Sequence, residues 1–204
     1  MRDLSKPLAA TLAAVFETID SANAQDPSSL PAGPTALVQG RLASEWLSKL
    51  DATAGPELAV ASRAHHLRRW ELARADYSEG RSGYLTWRRE NKAHQAASAA
   101  TILEHHGWPP ESIDRVGDLL RRTRLRSDAE TQALEDVACL VFLETQFSDM
   151  VARTEHEHMV SIVTKTLRKM SVEAIALAGT LPLDEGGQRV IADAVAALET
   201  SDAE

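Results

Sequence analysis

Residues 137–143 read VACLVFL, an unbroken apolar run. Such a run is either a buried strand or part of a helix that is apolar all round. Its flanks decide. TQALED before it and ETQFSDM after it contain no Gly or Pro. The uninterrupted segment is therefore far longer than a strand of about five or six residues. A helix that is apolar on every side is a central one, covered by its neighbours. The sequence thus predicts a central buried helix near 130–153, with Asp128 as its N-cap.

The segments around it keep the same helical period. Leu8, Leu12, Val15, Phe16 and Ile19 mark a helix over 8–22. Leu37, Leu42, Trp46, Leu47 and Leu50 mark another over 35–50. Pro56 suits the first position of a third helix, expected to reach about Leu72. Further helices are expected over 84–106, 110–124, 156–172 and 184–200. NAQDPSSLPAGP and ARADYSEGRSGYL read as loops, because Pro, Gly and Ser interrupt any period. The fold expected is all-α: a compact bundle of seven or eight helices forming a single helical domain over 1–204, with a frayed tail at 200–204.

Composition agrees. The chain has 204 residues, only 4% of them aromatic, which favours closely packed helices over a sheet. A net charge of −8 opposes general nucleic-acid binding and anionic membrane surfaces. No stretch offers the roughly 20 apolar residues of a membrane span. The opening MRDLSKPLAATLAAVFETID reads as an ordinary amphipathic helix, not a signal peptide. The single cysteine, Cys139, fits packed core in a reducing compartment, so a cytoplasmic location is expected.

Candidate chemistry gathers where polar groups interrupt apolar stripes. Asp136 stands just before the apolar run and Glu144 just after it, with Glu135 beside Asp136. A carboxylate at the edge of a buried helix needs a partner. His66, in RAHHLRRW, and His94, in ENKAHQAAS, are residue types able to supply one. His66, His94 and Asp136 therefore form a candidate site for one divalent metal ion. His65 is expected to point away from His66 into solvent, because successive helical residues diverge by about 100°. His105 and His106 fit a helix C-terminus, and His156 and His158 a solvated turn. Arg74, Arg81, Arg88 and Arg89 bracket a loop with Tyr77 and Tyr84 and form one cluster suited to phosphate or carboxylate, while Arg69, one turn on from His66, is expected to hold an anion. Lys165 and Lys169, in KTLRKMS, belong to a second basic cluster.

The strings IDSANAQDP, GRLASEWLSKLD, RAHHLRRWELARADYSEGRSGYLTWR, LEDVACLVFLE and KTLRKMS resemble the signature segments of an uncharacterised family, domain of unknown function 4202. That resemblance runs from about Ile19 to Ala178 and implies no established activity. It puts Gln where this chain has His65, which makes His66 the stronger candidate of the pair. In order, HHLRRW, HQAASAATILEHHGWPPESIDRVGDLLRR and ALEDVACL are also similar to HD-domain proteins. That similarity implies His66 as the first metal ligand and Asp136 as the last. It suggests a metal-dependent hydrolase of a small phosphorylated or other anionic substrate. A metal-bound water would attack, Glu135 or Glu144 would take the proton, and Arg81 and Arg88 would neutralise the phosphate. The departure is that no His-Asp dyad occurs anywhere in the chain. Two alternatives stand beside this reading: a metal-free helical protein that binds an anionic small molecule, and an HD-like di-iron oxygenase.

Overall fold

The computed structural model describes residues 5–125 and 127–201. Its regular structure is helical apart from a two-residue antiparallel ladder between β1 (Ser29–Leu30) and β2 (Gly33–Pro34). That ladder closes the loop expected over NAQDPSSLPAGP. The tail residues 202–204 lie outside the described residues, and the last helix continues through Ser201.

The chain divides into two compact units, 1–134 and 135–204. The first holds α1 (Ser5–Asn23), α2 (Thr35–Leu50), α3 (Pro56–Arg63), α4 (Gly80–His105) and α5 (Pro110–Arg121). Helices α4 and α5 pack on each other, α3 packs on α5, and α1 and α2 pack on α3. The apolar spacing read from the sequence supplies the core: Val15 and Ile19 of α1, Trp46 and Leu47 of α2, and Leu58 and Val60 of α3 are buried. From α4 and α5 come Ala96, Ala99, Leu103, Leu119 and Leu120. The small alanines of α4 let its neighbours approach closely. Gly107, with φ +69°, takes the left-handed conformation that ends α4.

A charged clamp ties α1 to α3. Arg63 donates from Nε and Nη2 to the two carboxylate oxygens of Asp20, each at 2.7 Å. Ser112 of α5 donates to Glu57 of α3 at 2.7 Å.

Helix α6 (Ala129–Thr145) crosses the boundary between the units. Asp128 caps it as expected, accepting from the backbone N–H and the hydroxyl of Thr131. Leu134, Val137, Leu140, Val141 and Leu143 have no exposure, so VACLVFL lies in a buried helix. The helix expected to reach 153 instead stops at Thr145. Gln146 leaves helical geometry at φ −129°, and α7 (Phe147–Val151) begins with a fully buried Phe147. The second unit is completed by α8 (His156–Leu167), α9 (Val172–Ala178) and α10 (Glu185–Ser201), with α10 packed on α7 and α8. The expectation of one helix over 156–172 is corrected too. The chain turns at 168–171, and Ser171 caps α9 by accepting from the Ala174 N–H.

Two corrections reshape the region around RAHHLRRW. The third helix does not run to Leu72; it ends at Arg63. Successive i→i+3 turns follow: His65 N–H to Ser62 O, Leu67 N–H to Ala64 O, and Arg69 N–H to His66 O. Arg68 then adopts φ +53°, which no continuing helix allows. In addition, α4 starts at Gly80 rather than Tyr84, so Arg81 and Tyr84 lie on a helix and not in a loop.

Candidate functional site

The turn after α3 brings His65 and His66 together instead of splaying them. Their ring centroids are 4.0 Å apart. His65, expected in solvent, is buried at 2% exposure. Its Nδ1–H donates to the Ser62 carbonyl at 2.9 Å, which leaves a lone pair on Nε2. That atom is buried and has no hydrogen-bond partner among the described residues. Loss of water is the main cause that pushes the His65 pKa down to about 3, and the Arg122 and Arg69 charges add to it.

His66 is fixed on both ring nitrogens. Arginine only donates, so Nε2 accepts from Nη1 of Arg69 at 2.9 Å. The proton then sits on Nδ1 and is donated to Oε1 of Gln39, in α2, at 2.5 Å. Withdrawal from water holds the His66 pKa well below the usual histidine value; His65, Arg69 and Arg122 lower it further. The pair is therefore neutral and set among cations.

Arg69 is the centre of this arrangement. Its guanidinium lies 4.9 Å from the centroid of the Trp87 ring, a cation–π contact. The Trp87 indole N–H donates to the Leu72 carbonyl at 2.9 Å, which pins the turn carrying Arg69 to α4. The Tyr77 hydroxyl donates to Glu90 at 2.7 Å and fastens the same loop further along. Gly83 is required there, since a Cβ at that position would run into the Ser78 carbonyl. Of the five N–H donors of Arg69, only Nη1 has a side-chain partner among the described residues, and that partner is uncharged. Burial lowers the Arg69 pKa, Tyr84 and Asp26 oppose this, and Arg88 adds to it. Asp26 spends its own carboxylate on Ser28 and on the Ala36 N–H.

One turn of α4 presents Tyr84, Trp87 and Arg88 on a shared face. The Arg88 guanidinium lies 5.8 Å from the Tyr84 ring centroid. The two non-glycine residues with positive φ among the described residues, Arg68 and Arg122, both belong to this region. Arg68 directly precedes Arg69, and Arg122 is felt by both histidines. Strained backbone of this kind costs about 1–2 kcal/mol per residue and gathers at functional sites.

The sequence candidates distribute as follows. His66 and Arg69 are brought together, as are Tyr84 and Arg88. Tyr77 is engaged with Glu90, and Arg81 is exposed on the first turn of α4. His94 bonds through Nε2 to Glu71 at 2.8 Å. In the second unit, Asp136 is buried and accepts the Ser171 N–H at 2.9 Å, Glu135 is buried, and Glu144 is exposed. Lys165 and Lys169 are exposed in that unit. Each of the three candidate ligands, His66, His94 and Asp136, thus has its own protein partners. Among the described residues, no group of three or more His, Cys, Asp or Glu side chains is placed to hold a metal ion. Among the same residues, no helix is long and apolar enough to cross a membrane. The sequence reading missed His65, Gln39, Trp87 and Arg122. Only the turn after α3 makes them neighbours, and no Gly or Pro announces it.

The profile of the family described as domain of unknown function DUF4202 matches residues 13–191. The chain belongs to this family. The match takes in every residue of the Arg69 site. No curated protein and no solved structure matches the chain.

Proposed function

We propose that this DUF4202 protein binds an anionic small molecule, a phosphate or carboxylate compound, against Arg69 and Arg88. The observation that carries this reading is the unfilled edge of Arg69. A guanidinium drawn out of water needs an anion or strong acceptors. Here it has one neutral imidazole and an aromatic face, with the Nε–Nη2 fork left over. That fork matches two oxygens of a phosphate or carboxylate. His66 and Trp87 hold the fork still before the ligand arrives, which reduces the entropy lost on binding. In this role His66 is a positioning residue acting through Arg69.

Thermal unfolding with added inorganic phosphate tests it. The midpoint rises with phosphate concentration in the native chain. The rise disappears in Arg69→Met and shrinks in Arg69→Lys, which keeps the charge but not the fork. A midpoint insensitive to phosphate at tens of millimolar, in the native chain as in Arg69→Met, defeats the reading.

Metal-dependent hydrolysis is the weaker reading. A ligating imidazole needs a free lone pair, and the His66 lone pair on Nε2 is taken by Arg69. A cation placed there would also face the Arg69 and Arg122 charges.

A further inference from the structure

Among the described residues three large hydrophobic side chains stand exposed: Tyr84 at 43%, Leu85 at 49%, and Val172 in the second unit. A single exposed aromatic ordinarily needs no explanation. Tyr84 differs in its surroundings. Its ring meets Trp87 at a centroid distance of 5.9 Å. Arg69 lies against the Trp87 ring and Arg88 against the Tyr84 ring. Two arginines that make no ion pair or hydrogen bond with a carboxylate among the described residues thus border an aromatic pair, half of which faces solvent. The Tyr84 hydroxyl makes no hydrogen bond to protein among those residues, in contrast to Tyr77.

From this we infer that the ligand's organic part is a planar aromatic group stacked on Tyr84, so that the site takes a nucleoside monophosphate or a compound of that form. The inference rests on the anion reading above and adds the group attached to the anion. An oxyanion held by the Arg69 fork and screened by Arg88 brings whatever it carries next to the Tyr84 ring. A planar base offers that ring a stacking partner, and arginine planes favour the same face. A long polynucleotide is opposed by the chain's net charge of −8, whereas a single nucleotide brings few charges.

Calorimetric titration of the full chain with inorganic phosphate, ribose 5-phosphate and adenosine monophosphate separates the possibilities. Adenosine monophosphate binds roughly tenfold or more tightly than ribose 5-phosphate, the usual scale of base–aromatic stacking. Tyr84→Phe keeps that ratio and Tyr84→Ala brings it to about one. Equal affinities in the native chain, or a ratio that survives Tyr84→Ala, overturn the stacking inference while phosphate binding stands. If none of the three ligands binds, the anion reading falls and this inference with it.

Discussion

Nη1 of Arg69 stands 2.9 Å from Nε2 of His66. A donor that never gives up its proton fixes which nitrogen of His66 stays bare, and a second proton on that ring would set cation against cation. His65, packed on His66 and buried, is under the same constraint. Both histidines are therefore part of a neutral layer inside a cationic patch.

This makes the protein acid-sensitive in a definite window. The unfolded chain protonates His65 near the ordinary value of 6.5, whereas the folded chain holds it down to about 3. The stabilising effect of neutrality is complete above about pH 6.5. It is lost as pH falls from there toward 3, because the unfolded state binds the extra proton. The slope reaches about 1.4 kcal/mol per pH unit for one such group. Urea unfolding of the native chain and of His65→Gln between pH 7 and 5 checks this. The native chain loses stability faster than the variant, and parallel curves refute the assignment.

The clamp between α1 and α3 gives a graded prediction. Asp20 meets Arg63 through two bonds at 2.7 Å with both side chains mostly buried, and meets the exposed Arg41 at 3.0 Å. Asp20→Ala leaves Arg63 charged and poorly solvated, a loss of about 2–3 kcal/mol. Arg41→Ala removes a solvated pair and costs about 0.5 kcal/mol or less. Denaturant midpoints for the two variants should differ accordingly, and similar losses would show that burial does not govern this clamp.

Much of the fold was legible because it depends on long periodic signals. The length of its flanks marks VACLVFL as helix, and residue type alone marks Asp128 as a cap. What was illegible depends on single backbone angles. Ala61, Ala64 and Leu67 keep a helical spacing straight through the point where α3 ends, since Arg68 turns the chain without Gly or Pro. The placement of His65 follows from that turn, so it was lost with it. GRSG read as a loop although it opens α4, because the packing of Gly83 against Ser78 is a tertiary fact. Arg69, Tyr84 and Arg88 could be selected as anion-seeking or stacking types; their joint placement through Trp87 could not.

Asp128 combines a cap with an ion pair, and its variants separate the two. Its carboxylate accepts from Nη2 of Arg115 and from Thr131, and these bonds, the Arg115 one above all, hold its pKa below the ordinary aspartate value. That contribution is present above about pH 4 and is lost as the carboxylate protonates at lower pH. Asp128→Ala should cost about 1–2 kcal/mol at pH 7. Asp128→Asn, which can still accept at the cap, should cost less and should flatten the acid limb of the stability curve. An Asn variant as unstable as the Ala variant would place the whole effect in the Arg115 pair.

Gly40 sets local propensity against packing. It sits inside α2, where replacing glycine by alanine normally stabilises a helix by about 1 kcal/mol. Here α2 passes α3 so closely that a Cβ on residue 40 would lie 2.8 Å from the Arg63 carbonyl oxygen and 3.4 Å from Nδ2 of Asn23. The first neighbour is backbone and cannot rotate away. Separating the helices would also disturb Arg63, which holds Asp20, and the turn that follows it. Overpacking of this kind costs about 1–3 kcal/mol or more, which outweighs the propensity gain. Gly40→Ala should therefore lower the thermal midpoint. It should also weaken phosphate binding relative to the native chain, because Gln39 and the turn carrying His66 move with the displaced helices. A midpoint that rises would show that α2 and α3 can part without loss, and the close approach would then carry no weight in positioning the site.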